Sequence, residues 1–247
     1  MHHVPDVIAE EFAPHAVRIA TRRYQKLVLS TEGEETFYLV RKGIFLVRAT
    51  LPDARQQILN ILYPDDIART LAMPALDGTA ITAASDTGEV WRVRGSAAKA
   101  SAEANAALAH AISTHFTEQA ARLALHNAVL AGLNGDERVA ALFLELTLRV
   151  GRPTPAGIAF DMPLSRTDIA DHLALNADTV SRIVSRMRTK GLISMVGRNR
   201  IICRDVEALA AECPLAAALS QMHAGKTRKR HGAETETEPA LTPASRS

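Results

Sequence analysis

Residues 166–185 read RTDIADHLALNADTVSRIVS. Two short amphipathic runs meet there at a turn. Ala170 is small enough to let two helices approach closely. Ile169, Leu173, Leu175, Val180 and Ile183 stand at offsets that lock such helices near a right angle, as a DNA-binding helix-turn-helix requires. Ala174-Leu175-Asn176 forms the turn, and Asn176 is placed to cap the second helix. Ala174 replaces the glycine often found in this turn. The second helix, about residues 177–190, presents Asp178, Ser181, Arg182 and Ser185 on one outward face, with Thr179 beside them.

The chemistry of that face suits a major groove. Arg182 can donate two hydrogen bonds to guanine O6 and N7. Asp178 can accept from a cytosine or adenine amino group, and Ser181 can bond a base or touch a thymine methyl. Arg166, Arg186, Arg188 and Lys190 are better placed for phosphates. The charge is local. Residues 164–204 hold eight Arg or Lys against three acids, a surplus of five, whereas the whole chain has a net charge of only +2. Downstream, residues 191–196 and 200–203 read as two strands around Gly197-Arg198-Asn199, a wing whose tip, Arg198, can meet a phosphate.

Upstream, residues 96–133 contain no proline, and their only glycine is Gly132. Fourteen of the 35 residues from 97 to 131 are alanine, a strong helix former. Leu108, Ile112, Phe116, Gln119, Leu123, His126 and Leu130 recur at steps of 4, 4, 3, 4, 3 and 4, a near-heptad seam. A single helix over 96–133 would reach roughly 50 Å, more than a small sandwich covers, so the seam is expected to meet a second copy of the chain. Residues 134–136 are expected to end it and begin an amphipathic helix through Val139, Leu142, Phe143, Leu146 and Val150. Residues 151–157 read as a connector.

Residues 16–95 read mainly as short strands broken by Gly, Pro and Asp, the pattern of a small antiparallel sandwich or barrel. The expected domains are a sandwich over 1–95, a dimerisation helix over 96–133, a winged helix-turn-helix over 134–223 and a polar, disordered tail over 224–247. With 247 residues and 47% hydrophobic composition, the chain is neither a wholly disordered polypeptide nor a miniprotein. Two cysteines, Cys203 and Cys213, exclude a disulfide framework. No run is apolar enough to span a bilayer and no signal peptide opens the chain, so a cytoplasmic protein is expected.

Residues 164–193, LSRTDIADHLALNADTVSRIVSRMRTKGLI, resemble the Crp/Fnr superfamily of bacterial transcription regulators, and most the FixK/Fnr-like branch. The resemblance covers residues 16–212. It implies an α+β fold: an N-terminal double-stranded β-helix sandwich of cyclic-nucleotide-binding type, a long dimerisation helix and a C-terminal winged helix-turn-helix. It further implies a homodimer on an inverted repeat of double-stranded DNA, contact with RNA polymerase, and no enzymatic activity. The branch carries a Glu-x-x-Ser-Arg pattern that reads TTG-type half-sites. Here Ser181 and Arg182 match, whereas Asp178 stands one methylene short of the glutamate.

The sensor half departs from the family's ligand patterns. Within residues 63–93, no Gly-Glu follows Pro64-Asp65-Asp66 and no Arg-Ser stands near Thr79-Ala80, the elements that cyclic-nucleotide binders carry there. No cysteine precedes Cys203, which excludes an iron–sulfur cluster held in the Fnr manner. No cofactor is therefore expected, although a ligand- or haem-responsive regulator remains the alternative reading. Histidines 2, 3, 15, 110, 115 and 126 are the candidate ligands; a packing role is the simpler account. Cys203 lies next to Arg204 in the wing. Neighbouring arginines could lower its pKa and make it a redox site, against the simpler reading of an inert strand cysteine. Residues 24–95 contain no histidine, which excludes a cupin-type metal enzyme.

Overall fold

The computed structural model describes residues 4–28, 34–73 and 78–223. Strands β1 (Val17–Arg22), β2 (Lys26–Leu27), β3 (Thr36–Lys42), β4 (Phe45–Thr50), β5 (Gln56–Leu62), β6 (Ile67–Arg69), β7 (Ala80–Ala83) and β8 (Thr87–Arg94) form two four-stranded antiparallel sheets, ordered β1-β8-β3-β6 and β2-β7-β4-β5. Alternate side chains point inward, so Tyr38, Val40, Phe45, Val47, Leu62, Ile81 and Val90 share one core. The turn from β3 to β4 depends on Gly43, whose φ of +84° suits glycine and whose Cβ would stand 3.0 Å from the Thr87 carbonyl oxygen.

The second face of β3 is buried too. Phe37 and Leu39 pack under Ile8 and Phe12 of an N-terminal helix, α1 (Val4–Phe12). Phe12 and Phe37 meet edge to face at 6.0 Å, a favoured aromatic geometry. This helix was not foreseen, because its few apolar residues look unremarkable until the sheet supplies a surface for them.

The long helical stretch is two helices. α2 (Gly95–Ala104) ends at Asn105, whose extended backbone (φ −131°, ψ 100°) turns the chain. The Asn105 side chain then accepts from the backbone N–H of Ala107 and Leu108, capping α3 (Ala106–Gly132). Helix propensity alone gave no break, since nearly every flanking residue favours helix. At the far end, Asn134 caps α4 (Gly135–Val150) in a reciprocal capping box with Glu137.

The C-terminal half contains α5 (Arg166–Leu173), α6 (Ala177–Thr189), α7 (Val206–Ala211) and a third sheet. The expected connector is itself strand: β9 (Arg152–Thr154) and β10 (Gly157–Asp161) extend the wing strands β11 (Ile193–Val196) and β12 (Arg200–Cys203) into the order β11-β12-β10-β9. Gly157 permits this. A Cβ there would lie 2.3 Å from the Cys203 carbonyl oxygen. Residues 216–223 are helical and place Leu219 in the core. The tail expected to be disordered, 224–247, lies outside the described residues.

One apolar core joins the two halves. Leu46, Ile58 and Tyr63 of the sandwich side pack with Leu142, Phe143 and Leu146 of α4 and Leu173 of α5. No helix among the described residues is long and apolar enough to cross a membrane.

Candidate nucleic-acid interface

Ser165 caps α5 by accepting from the Asp168 N–H, while the Asp168 carboxylate accepts from the Ser165 N–H. The turn follows at Ala174, which adopts the left-handed region (φ 52°, ψ 48°) and lets Leu175 N–H donate to the Ala170 carbonyl. Asn176 then accepts from Thr179 N–H at 2.7 Å and starts α6. Val180, Ile183, Val184 and Met187 are buried, which fixes the rotation of α6 about its axis.

The opposite face is open. Asp178, Ser181, Arg182 and Ser185 are exposed and Thr179 is half-buried. The Ser181 hydroxyl donates to the Ala177 carbonyl at 2.9 Å, so its lone pairs remain to accept from a base. Arg186 is less available than its sequence position suggests. The Asp136 carboxylate at the start of α4 grips it at 2.6 and 2.8 Å. Lys190 is similarly paired with Glu212 at 2.8 Å. These tertiary partners had no sequence signal, lying 50 and 22 residues away.

Arg166, half-buried, has its guanidinium 3.9 Å from Met195 Sδ of the wing. Burial and the nearby Arg188 both lower its pKa, which places two positive charges together beside α6. Arg198 is exposed at the wing tip, where Gly197 takes a φ of +63°. The helix-turn-helix, Arg166 and the wing are thus one continuous unit, built on the buried faces of α5, α6 and β12.

Cys203 differs from the redox expectation. It is buried, its thiol donates to the Asp205 carbonyl, and burial pushes its pKa up to about 11. Desolvation outweighs the hydrogen bonds with the Asp205 backbone and Thr147 that would lower it, the opposite of what a reactive thiolate needs.

The seven-residue seam of α3 divides. Leu108 is fully buried among Ile8, Phe12 and Val93 of its own chain. Gln119 donates to the Ile67 carbonyl at 2.7 Å, and His126 stacks on His172 of α5 at 4.1 Å between ring centroids. These three look inward because the sandwich and α5 flank the helix. Ile112 and Phe116 are half-buried at the edge of the Leu108 core, Leu130 is half-buried, and Leu123 is 39% exposed. Among the histidine candidates, His115 is buried and accepts from Ile67 N–H at 3.0 Å, whereas His15 and His110 are exposed. His2 and His3 lie outside the described residues. Among the described residues no three His, Cys, Asp or Glu side chains are grouped to hold a metal.

A charged cluster ties the interface to the rest of the chain. Asp66, fully buried after β5, accepts from both Nη atoms of Arg122 on α3 at 2.9 Å and from Arg149 on α4 at 3.1 Å. Arg149 also lies over the Tyr63 ring at 4.5 Å. On the other side, Arg48 of β4 donates to Asp168 of α5 at 2.6 Å. Burial would raise the Asp168 carboxyl, but Arg48 and Ser165 hold it below the usual carboxylate value.

Known proteins place this geometry. The Crp-like helix-turn-helix domain family matches residues 137–212. A nitrogen fixation regulation protein FixK of Bradyrhizobium diazoefficiens is 31% identical over 189 residues, covering 74% of this chain and 78% of that protein. A probable transcriptional activator of Rhizobium leguminosarum is 26% identical over 184 residues, covering 74% and 75%. The structure of FixK2 from Bradyrhizobium japonicum superposes with a TM-score of 0.70 at 25% identity, covering 80% of this chain and 97% of that one. A CooA mutant from Carboxydothermus hydrogenoformans, with a TM-score of 0.64 at 18% identity over 80% and 88%, shares the fold.

Proposed function

The chain belongs to the Crp/Fnr family of DNA-binding transcription regulators, and from that premise we propose how it reads DNA. It acts as a homodimer on an inverted repeat with TTG-like half-sites, placing one α6 in each of two major grooves about one DNA turn apart. The observation that carries this reading is the division of α6: Val180, Ile183, Val184 and Met187 anchor one face, and Asp178, Ser181, Arg182 and Ser185 stand free on the other. Arg182 reads guanine through O6 and N7. Asp178 accepts from a base amino group with a shorter reach than the glutamate of related regulators. Ser181 and Ser185 accept from, or pack against, neighbouring base edges, with Thr179 at their margin. Arg166, Arg198 and, once released from Asp136, Arg186 contact phosphates and set register.

Dimerisation uses the outward remainder of the α3 seam, Phe116, Leu123 and Leu130, with Ile112 at its edge. Their spacing of seven residues is that of a helix–helix seam. As in the family at large, activation would proceed by contact with RNA polymerase. The site of action is the cytoplasm, where the bacterial chromosome lies. Selection of bound fragments from a random DNA pool tests the reading. An inverted repeat is expected. Recovery of unrelated sequences, or of single half-sites bound by a monomer, would sink it.

A further inference from the structure

A cleft of about 680 Å³ separates the sandwich from the DNA-binding half. Small-molecule sites occupy this size range and favour domain junctions. Arg41 and Lys42, at the end of β3, line one wall; Arg152 and Arg200, opening β9 and β12, line the other. Phe160 and Met162 reach the lining from the shared core, in which both are buried. Arg23 crosses the seam, donating to Asp86 at 3.3 Å and to the Pro163 carbonyl at 3.2 Å. The cleft's five basic side chains face only two acidic ones, Asp86 and Asp161.

The cations differ in their freedom. Arg41 is held by Asp65 at 3.1 Å and lies over the Trp91 ring at 4.8 Å. Lys42 and Arg200 are exposed and make no ion pair among the described residues. The reading face of α6 does not line the cleft, so these charges stand apart from the proposed base contacts. A cleft walled by one sign of charge focuses its field and concentrates counter-ions. Ammonium and guanidinium groups on opposite walls suit phosphate oxygens, the guanidinium in forked pairs.

We propose that this cleft binds a small phosphorylated metabolite carrying at least two phosphate groups, which bridges Lys42 of the sandwich and Arg200 of the DNA-binding half. Two or more phosphates let one ligand meet cations supplied by both halves of the chain. Such a ligand touches both halves at once, so it favours whichever domain pose it binds better. That consequence for DNA affinity rests on the regulator reading; binding in the cleft does not.

Calorimetric titration of the full-length protein with pyrophosphate and with tripolyphosphate, at constant ionic strength, tests the proposal. Saturable one-site binding is expected. It should weaken at least tenfold in Lys42→Glu and in Arg200→Glu, and remain unchanged in Arg182→Ala. Both charge reversals are at exposed positions, and thermal melting checks that the variants stay folded. Absence of saturable binding would overturn the site. Loss in only one of the two cleft variants would overturn the bridge. Loss in Arg182→Ala would move the phosphate to the DNA-reading surface and overturn the cleft as its location. A failed DNA selection would leave this titration unaffected, so the two readings fail separately.

Discussion

At the scale of single residues, Arg182 and Ala174 illustrate two kinds of constraint. Arg182 is exposed and free of structural duty, so its replacement tests recognition alone. Arg182→Ala is expected to cost about 1–3 kcal/mol of specific binding, roughly five- to 150-fold in affinity, with little change in melting temperature. Titrating a selected site and its single-base variants measures this. In the same assay Asp178→Glu should sharpen preference for a TTG-type half-site, since the longer side chain restores the reach to the base amino group. Ala174 is a structural case. Its left-handed backbone (φ 52°) crowds a Cβ that glycine lacks. Ala174→Gly should therefore stabilise the protein by about 0.5–1 kcal/mol in urea unfolding, net of the entropy glycine adds to the unfolded chain. The sequence showed the missing glycine; only the dihedral showed that the turn keeps the left-handed geometry without it.

At the scale of elements, α6 was legible because all its determinants are local: a cap at Asn176, buried positions three and four residues apart, and polar residues on the other face. The α3 seam was legible as a pattern but not as a set of contacts. Leu108, Gln119 and His126 share the period of Phe116, Leu123 and Leu130, yet the first three meet their own chain. Periodicity reports that a face is buried, never against what. The outward members carry the dimer proposal, so Leu123→Glu should shift sedimentation of the purified protein from dimer to monomer while leaving the monomer folded. An unchanged dimer would place the interface elsewhere. Asn105, which divides α2 from α3, was overlooked because a cap and a mid-helix asparagine look alike in a run of alanines.

At the scale of the whole molecule, buried polar groups fix how the two halves meet. Asp66 joins the end of β5 to α3 and α4. Arg149 is only 5% exposed, and Arg122 shares the same carboxylate, so removing Asp66 takes one acidic partner from two guanidinium groups at the junction. Asp66→Ala should lower unfolding free energy by about 3–5 kcal/mol, measured by denaturant titration, and uncouple the halves before either melts fully. His172 sits at the same junction, stacked on His126 with its Nδ1 3.4 Å from the Ile58 carbonyl oxygen. Burial, with His126 beside it, lowers its pKa to about 3. The folded value lies below the unfolded one of about 6.5. The neutral ring's contribution is therefore complete above pH ~6.5 and is lost as pH falls toward the folded value, by about 1.4 kcal/mol per pH unit. His172→Gln should flatten that slope between pH 6.5 and 4.5 in stability measurements, leaving only the part due to other groups.

The sequence by itself determined the reading helix, the basic surface beside it, the order of sandwich, long helix and winged domain, and the absence of an Fnr-type cysteine cluster. Each depends on neighbours within a few turns or on residue type alone. Only the tertiary structure decided that Asp136 holds Arg186, that Cys203 is a buried thiol, which half of the α3 seam is already occupied, and that cations of both domains face one cleft. Those outcomes depend on residues far apart in sequence, brought together by a core shared between the halves. Desolvation and charge pairing act at those meetings, and no local pattern encodes them.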